Sequence, residues 1–226
     1  MAGITMIKKI EAIASDYDRT LTDESLILSE KAVFSLKSAR KDGIKVFLVS
    51  GRKLPFLEGV NKNRDFVDMI IAENGAVVYD PRDGRKILLG EGLEELKAAF
   101  SDADFPVDVE EVIVATTIDY LEDVREIIER NDLSVDIELN RDDVMIMPPG
   151  VNKCSGVMKA AEICGIDRQH LACIGDAEND LKLFAAAGIR VAVANAVQRL
   201  KDEADIVCSA PYGDGVSEFV QSLQAG

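Results

Sequence analysis

Tryptophan is absent from this 226-residue chain, histidine occurs once and cysteine four times. The single His170 and the lack of a Cys-x-x-Cys pair argue against a zinc site, which needs closely spaced Cys and His ligands. Few, scattered cysteines predict reduced thiols and a cytoplasmic protein. No apolar run approaches the roughly 18–20 residues that span a membrane. Lysines interrupt the apolar N-terminal stretch, which makes it a poor signal peptide.

Basic residues are fewer than acidic ones, with 26 Lys and Arg against 41 Asp and Glu and a formal net charge of −15. This balance disfavours nucleic acids and anionic membranes as partners. It does not exclude a small anionic substrate, because local cations and a metal ion can outweigh the average field. The remaining composition, 47% hydrophobic and 30% charged, is typical of a soluble globular protein with a sizeable core.

Short apolar runs alternate with helical patterns along most of the chain, which predicts βα units, a mostly parallel sheet and an α/β fold. We expect strands at residues 9–15, 45–50, 69–72, 170–174, 190–193 and 206–208. Helices are predicted after Ser29 as an N-cap, after Lys153, and over the segment ENDLKLFAAAG at 178–188.

The stretch at residues 81–149 has a different character. It opens with a turn-like DPRDG, contains strand-like pieces at 112–116, 135–139 and 144–147, and has one helical segment, YLEDVREIIERND. We therefore predict a catalytic core formed by residues 1–80 and 150–226, with a smaller α+β domain inserted at 81–149. Nothing in the pattern distinguishes a monomer from a homodimer.

Polar residues directly follow four of the predicted strands, in the segments ASDYDRT (14–20), FLVSGR (47–52), IAENGA (71–76) and CIGDAEND (173–180). In an open parallel sheet, ligands bind outside the carboxyl ends of the strands. We therefore expect the four segments to meet at one edge of the sheet, where Lys153 could join them.

Asp16 and Asp18 lie two residues apart where the first strand ends, so their side chains can point to the same side. Unpaired buried charge is costly, which indicates a cation or a chemical role for the pair. Turn aspartates that cap a loop are the alternative. An EF-hand loop is excluded, because Leu21 and Ile27 occupy the positions that require glycine and glutamate.

The other candidate residues have alternatives of their own. Ser50 and Gly51 offer a hydroxyl and backbone N–H groups to a phosphate oxygen, but the pair is also common in a plain turn. Asp176 and Asp180 lie four residues apart on one face of a helix start, where acidic N-capping residues also occur. Lys153 taken alone would be a solvated lysine.

Taken together, these residues form an ordered set: D-x-D-x-T at 16–20, S-G at 50–51, Lys153, and G-D-x-x-N-D at 175–180. The set resembles the signature of the haloacid dehalogenase (HAD) superfamily of phosphohydrolases. The chain further resembles the Cof-type branch of this superfamily in the segments ENGA, PPGVNKCSGV, VAVANA and GDGV. The resemblance implies a Rossmann-like parallel-sheet core and places the insert at the position of a C2-type cap over the substrate.

One position departs from the commonest form of the first motif, which has glycine where this chain has Arg19. If that position requires a positive φ, an arginine there is strained. Its side chain could reach towards an anionic substrate or the cap, or be a solvated loop side chain. The resemblance gives the neighbouring Thr20 the task of stabilising the loop.

The resemblance also implies a covalent route for hydrolysing a phosphate monoester. Asp16 would be the nucleophile that becomes an aspartyl phosphate, and Asp18 the acid and base that protonates the leaving alcohol and then deprotonates water. Lys153 would offset the charge on the transferred group, while Ser50 and Gly51 would bind its oxygens.

Mg²⁺ is the implied cofactor, since it is a hard ion that prefers oxygen ligands. The resemblance assigns to it the carboxylates of Asp16 and Asp176 and the backbone carbonyl of Asp18. Asp180 would bind the metal or, from outside its ligand shell, orient the lysine or a metal-bound water. Asn179 would support the same network and help to bind the phosphate.

The substrate class remains open at this point. Chain length and insert size resemble the archaeal phosphoglycolate phosphatases, which favours 2-phosphoglycolate, while sugar-phosphate phosphatases, such as those for sucrose phosphate, share a similar cap. A phosphomutase of the same superfamily and a phospho-accepting receiver module are further alternatives. Arg141, at the tip of a predicted hairpin in the insert, is a candidate contact for a substrate carboxylate or an exposed turn residue.

Overall fold

The computed structural model describes residues 9–140 and 142–224. Its strands are β1 (Ala12–Asp16), β2 (Lys45–Val49), β3 (Met69–Ala72), β4 (Val77–Asp80), β5 (Arg85–Leu88), β6 (Asp108–Val109), β7 (Val114–Thr117), β8 (Asp136–Asn140), β9 (Asp143–Met147), β10 (Leu171–Gly175), β11 (Ile189–Ala192) and β12 (Ile206–Val207). Its helices are α1 (Glu30–Lys41), α2 (Leu54–Lys62), α3 (Leu93–Phe100), α4 (Leu121–Arg130), α5 (Lys153–Cys164), α6 (Asp180–Phe184), α7 (Gln198–Glu203) and α8 (Tyr212–Gln224).

The larger sheet has eight strands in the order β12-β11-β10-β1-β2-β3-β4-β5. The strands from β12 to β3 pair in parallel, and β4 and β5 extend the sheet as an antiparallel hairpin. The central strand β1 is buried along its whole length, which explains its continuous apolar run without alternation. The α/β fold with a mainly parallel sheet is therefore confirmed.

The hairpin changes the predicted division of the chain. Arg85–Leu88 pairs with Val77–Asp80 in the large sheet, although the sequence pattern had assigned residues 81–149 to the insert. The error has a physical cause, because the turn-like DPRDG connects two paired strands and the short RKIL run is largely exposed. The separation into a core and a cap is retained as a proposal, with this strand moved to the core.

The smaller sheet is antiparallel, with strand order β6-β7-β9-β8. One face packs against α3 and α4 and forms an apolar cluster of Leu96, Phe100, Val114, Val124, Ile127, Val144 and Ile146. Met145 and Met147 of β9 belong instead to the main core cluster. Since neighbouring residues of a strand point to opposite faces, the second face of this sheet is turned towards the larger one.

Backbone contacts connect the smaller sheet to the core. The buried carboxylate of Glu73 accepts hydrogen bonds from the backbone N–H groups of Glu111, Val112 and Ile113 at 3.2, 2.9 and 3.3 Å. Charged groups hydrogen-bonded to buried backbone amides form strong links. A salt bridge between Lys53 and Asp108 adds a further connection at 2.5 Å.

Helix α5 begins at Lys153 because Asn152 caps it. The Asn152 side chain accepts from the N–H groups of Cys154 and Ser155, and the Ser155 hydroxyl accepts from the Asn152 N–H. The start of the helix also packs on Gly75, where an added Cβ would lie 2.0 Å from the Asn152 carbonyl oxygen. These contacts fix the position from which the Lys153 side chain extends.

None of the described helices has the length and apolarity to cross a membrane.

Candidate active site

Three of the four predicted segments and Lys153 bring polar side chains together at the carboxyl edge of the large sheet. Asp16 ends β1, Ser50 follows the neighbouring β2, and Asp176 follows β10 on the other side of β1. Lys153 reaches the same place from the start of α5 and contacts Asp16. Adjacent parallel strands end at the same edge, which explains how residues far apart in sequence come together.

A buried lysine lies between two carboxylates at the centre of this edge. Lys153 Nζ is 2.7 Å from Asp16 Oδ1 and 2.7 Å from Asp180 Oδ1, and the three side chains are 2%, 8% and 0% exposed. Burial alone would lower the pKa of Lys153, but the carboxylates of Asp16 and Asp180 outweigh it and raise this pKa above its ordinary value. The ammonium group is therefore charged, and it orients the nucleophile candidate.

Asp180 uses both of its carboxylate oxygens within the site. Its second oxygen accepts from the backbone N–H groups of Asp176 and Ala177 at 2.9 and 3.0 Å. Gly175 makes this possible, since a Cβ there would lie 2.6 Å from the Asp180 carboxyl group. With one oxygen on Lys153 and the other on the backbone, Asp180 is better placed to position its neighbours than to bind a metal directly.

Asp176 is the second carboxylate facing the nucleophile candidate. Thr20 donates a hydrogen bond from its hydroxyl to Asp176 Oδ1 at 2.9 Å. Burial, helped by the nearby Asp180 carboxylate, raises the pKa of Asp176 to about 7 against the opposing effect of that hydrogen bond. Thr20 therefore does more than support its own loop, because it connects the first motif to the last.

The carboxylate cluster is suited to a divalent cation. Oxygens of Asp16, Asp176 and Asp180 lie within 4.8 Å of one another, and all three residues are buried. The Asn179 Oδ1 atom nearby is buried and has no hydrogen-bond partner among the described residues. Three close carboxylates facing one lysine leave negative charge that a hard cation with oxygen ligands would balance.

The Asp18 side chain is turned away from this cluster. Arg52 donates hydrogen bonds to the Asp18 carboxylate from two nitrogens, from Nε at 3.0 Å and from one terminal nitrogen at 2.7 Å. Ser50 Oγ donates to the same carboxylate at 3.3 Å. The Arg52 guanidinium lies over the Phe56 ring, 4.6 Å from its centroid. Sequence reasoning missed Arg52, and its only signal was its place two residues after Ser50.

Arg19 has a positive φ, the backbone conformation in which an arginine at this position was expected to be strained. Its φ is 59°, in the left-handed region that favours glycine. Its N–H donates to Thr22 Oγ1 at 2.8 Å, and its carbonyl oxygen accepts from Asn195 Nδ2 at 2.9 Å. These two bonds hold a conformation that costs about 1–2 kcal/mol in an ordinary residue.

A cavity of about 410 Å³ lies above these groups, between the two sheets. The core side contributes the catalytic candidates described above together with Arg19, Gly51 and Arg52, and the smaller sheet contributes Glu110, Ile113, Ala115, Asp143 and Met145. Burial and the neighbouring Glu73 carboxylate raise the pKa of Glu110 to about 8. Arg141, the candidate substrate contact from the sequence, lies outside the described residues.

Comparison with known proteins decides which family has this arrangement. The family model for haloacid dehalogenase-like hydrolases matches residues 13–101 and 94–220, which together span most of the chain. The chain belongs to the haloacid dehalogenase-like hydrolases. The match covers the large sheet, the inserted sheet and all four motifs, and the family resemblance inferred from the motifs is confirmed.

Curated relatives and a solved structure agree with this assignment. The chain is 35% identical to a phosphoglycolate phosphatase of Methanothermobacter thermautotrophicus, covering 94% of this chain and 98% of the relative. It is 36% identical to another from Archaeoglobus fulgidus, covering 95% and 97%. A crystal structure from Thermoplasma acidophilum shares the fold with a TM-score of 0.80 at 24% identity, covering 96% of this chain and 100% of that one.

These findings confirm the predicted enzyme class, a phosphatase, whose family acts on small phosphorylated substrates and generally uses a divalent metal. They also argue against the receiver-module alternative, because the hydrolase match continues through the insert to residue 220.

Proposed function

We propose that this phosphatase hydrolyses 2-phosphoglycolate with Mg²⁺ through an aspartyl-phosphate intermediate. The observation that carries the proposal is the buried Asp16 carboxylate, held by Lys153 at 2.7 Å at the floor of the cavity. A fixed carboxylate next to a buried cation is the arrangement that in-line attack on a phosphoryl group requires.

In the first half-reaction, an Asp16 oxygen attacks phosphorus and the bond to the alcohol oxygen breaks. Asp18 supplies the proton that the departing alkoxide takes up. Ser50 Oγ and the backbone N–H of Gly51 bind phosphoryl oxygens, and the Lys153 ammonium offsets their charge. The result is an acyl phosphate on Asp16 and a free alcohol.

In the second half-reaction, Asp18 takes a proton from a water molecule that attacks the same phosphorus atom. The bond between phosphorus and the Asp16 oxygen breaks, so inorganic phosphate leaves, Asp16 is again a carboxylate and Asp18 again carries its proton. A bound Mg²⁺ would supply positive charge that lowers the repulsion between nucleophile and phosphate. We assign it to Asp16, Asp176 and the Asp18 carbonyl, with Asp180 outside the ligand shell.

The choice of 2-phosphoglycolate is supported by the two relatives named as phosphoglycolate phosphatases, which match this chain along almost its full length. The cavity adds a physical argument. Its volume of about 410 Å³ suits a small ester, and guanidinium groups line its core side. Sugar phosphates and a phosphomutase reaction are the alternatives that an assay must distinguish.

Phosphate release by the purified protein tests the proposal, using phosphoglycolate, several sugar phosphates and an aryl phosphate with Mg²⁺ or with chelator. We expect Mg²⁺-dependent turnover with the highest kcat/KM for phosphoglycolate. Asp16→Asn should abolish turnover without loss of folding, because the two side chains are nearly isosteric. Substantial activity of pure Asp16→Asn would contradict the nucleophile assignment, and a better sugar phosphate or a bisphosphate requirement would contradict the substrate.

A further inference from the structure

Arg52 presents a planar cationic fork towards the cavity. It is already paired with a carboxylate, with two nitrogens on Asp18 at 3.0 and 2.7 Å. Stacking on Phe56 at 4.6 Å fixes the plane of the guanidinium group. A fork held in this way is suited to bidentate recognition of a carboxylate in the same place.

The position of the Arg52 guanidinium group limits how far a second anionic group of the substrate can lie from its phosphate. The Arg52 backbone N–H donates to Ser50 Oγ at 3.1 Å, and Ser50 Oγ lies 3.3 Å from Asp18. The guanidinium group and the proposed phosphate ligand Ser50 therefore contact the same carboxylate. An anionic group that reaches Arg52 must be separated from the phosphoryl group by only a few bonds.

Other charged groups of the cavity are less suited to a substrate carboxylate. Lys153 is already enclosed by Asp16 and Asp180. Among the described residues, only the backbone of Arg19 is held by hydrogen bonds, and no carboxylate or aromatic ring fixes the plane of its guanidinium group as Asp18 and Phe56 do for Arg52. The cap side presents Asp143, whose charge repels an anion.

We propose that Arg52 selects substrates that carry a carboxylate next to the phosphate, by exchanging Asp18 for the substrate carboxylate. The inference rests on the proposed function, in which Asp16 and Ser50 receive the phosphoryl group. Exchanging one carboxylate for another leaves Arg52 paired throughout and frees Asp18 to take up a proton from water and turn to the leaving oxygen. A neutral ester offers no such exchange, so Asp18 could leave Arg52 only by separating a close ion pair in a partly buried site.

Binding of unreactive phosphonates to the Mg²⁺-loaded protein tests this selection directly. 3-Phosphonopropionate is the analogue in which CH₂ replaces the ester oxygen of phosphoglycolate, and propylphosphonate lacks its carboxylate. By calorimetry we expect the carboxylate analogue to bind about 30-fold more tightly, or ~2 kcal/mol at 1.4 kcal/mol per tenfold. Arg52→Gln should abolish this preference, and Arg52→Lys, which keeps the charge without the fork, should retain only part of it.

Arg19→Gln is the matched control, because it removes the other guanidinium group lining the cavity. It should leave the preference intact, and thermal unfolding of each variant shows whether it folds. A preference that survives Arg52→Gln, or one that is lost in Arg19→Gln alone, would overturn the proposal. Equal binding of both phosphonates by the wild-type protein would also overturn it.

Kinetics separate this proposal from the proposed function. For phosphoglycolate and ethyl phosphate, the ratio of kcat/KM values should fall about 30-fold in Arg52→Gln. If the wild-type protein binds the carboxylate phosphonate through Arg52 but does not hydrolyse phosphoglycolate, the substrate assignment fails and the anion site stands. If phosphoglycolate is hydrolysed and the ratio is unchanged in Arg52→Gln, the role of Arg52 is refuted and the phosphatase function stands.

Discussion

Replacing Lys153 with methionine tests how strongly the buried site depends on a single cation. The Lys153 side chain is 2% exposed and contacts two carboxylates at 2.7 Å, so Lys153→Met keeps the length but leaves both oxygens without their cation. Breaking a buried ion pair from one side costs about 3–5 kcal/mol, because an uncompensated charge stays buried. We expect a loss near the upper end, since two carboxylates lose the same partner.

The measurement is urea unfolding followed by circular dichroism, in chelator and then with saturating Mg²⁺. In chelator, the free energy of unfolding should fall by about 5 kcal/mol in Lys153→Met. Added Mg²⁺ should stabilise this variant more than the wild-type protein, because a bound divalent ion would compensate Asp16, one of the two carboxylates that lose the ammonium group. Turnover should be lost under both conditions, since the proposed mechanism needs the Lys153 ammonium group to offset the charge of the phosphoryl group.

Lys159→Met provides a control on the same helix. Lys159 forms an exposed pair with Glu162 at 2.9 Å, and such surface pairs contribute about 0–1 kcal/mol. The reasoning about the buried cation is refuted if Lys153→Met loses no more stability than Lys159→Met in chelator. It is equally refuted if Mg²⁺ stabilises the wild-type protein and Lys153→Met to the same extent.

Two further predictions concern Glu110, which lines the cavity, and Gly75, which packs against the start of α5. Burial and the Glu73 carboxylate raise the pKa of Glu110 to about 8, so the folded state binds this proton more tightly than the unfolded chain does. The protein therefore loses stability as the pH rises from about 4.5 to 8. Glu110→Gln should be more stable than the wild-type protein at pH 9 but not at pH 4, and urea midpoints that differ equally at both pH values would contradict this. Gly75→Ala should lose more than about 2 kcal/mol, because its φ is +104° and its Cβ would lie 2.0 Å from the Asn152 oxygen. Gly84→Ala, with a φ of +74° and open space around it, should lose only about 1 kcal/mol, and equal losses would refute the role of the close contact.

Much of the core could be predicted from the sequence, because its strands are buried on both faces and end abruptly in polar residues. β1 shows why: Ala12, Ile13 and Ala14 are fully buried and Asp16 follows them at the sheet edge. β5 was missed for the opposite reason, since Arg85 and Lys86 are exposed and four residues give too short a pattern.

The contacts that complete the site were beyond sequence reasoning. Arg52 and Asp18 are 34 positions apart, and Glu73 bonds to backbone groups 38 to 40 positions away. Such pairs depend on how α2 and the smaller sheet pack, which neither hydrophobic period nor motif spacing encodes. Motifs identify which residue types are present, while tertiary packing decides which of them meet.

The link between Glu73 and the cap has a consequence for how such enzymes diversify. Its three hydrogen bonds end on backbone N–H groups of residues 111–113, so any non-proline residue at these positions can supply the donor. Side chains of the smaller sheet can therefore change without loss of the hydrogen bonds that connect it to Glu73. A connection that does not depend on side-chain identity allows the residues of the smaller sheet that line the cavity to change while the groups at the edge of the large sheet keep their positions.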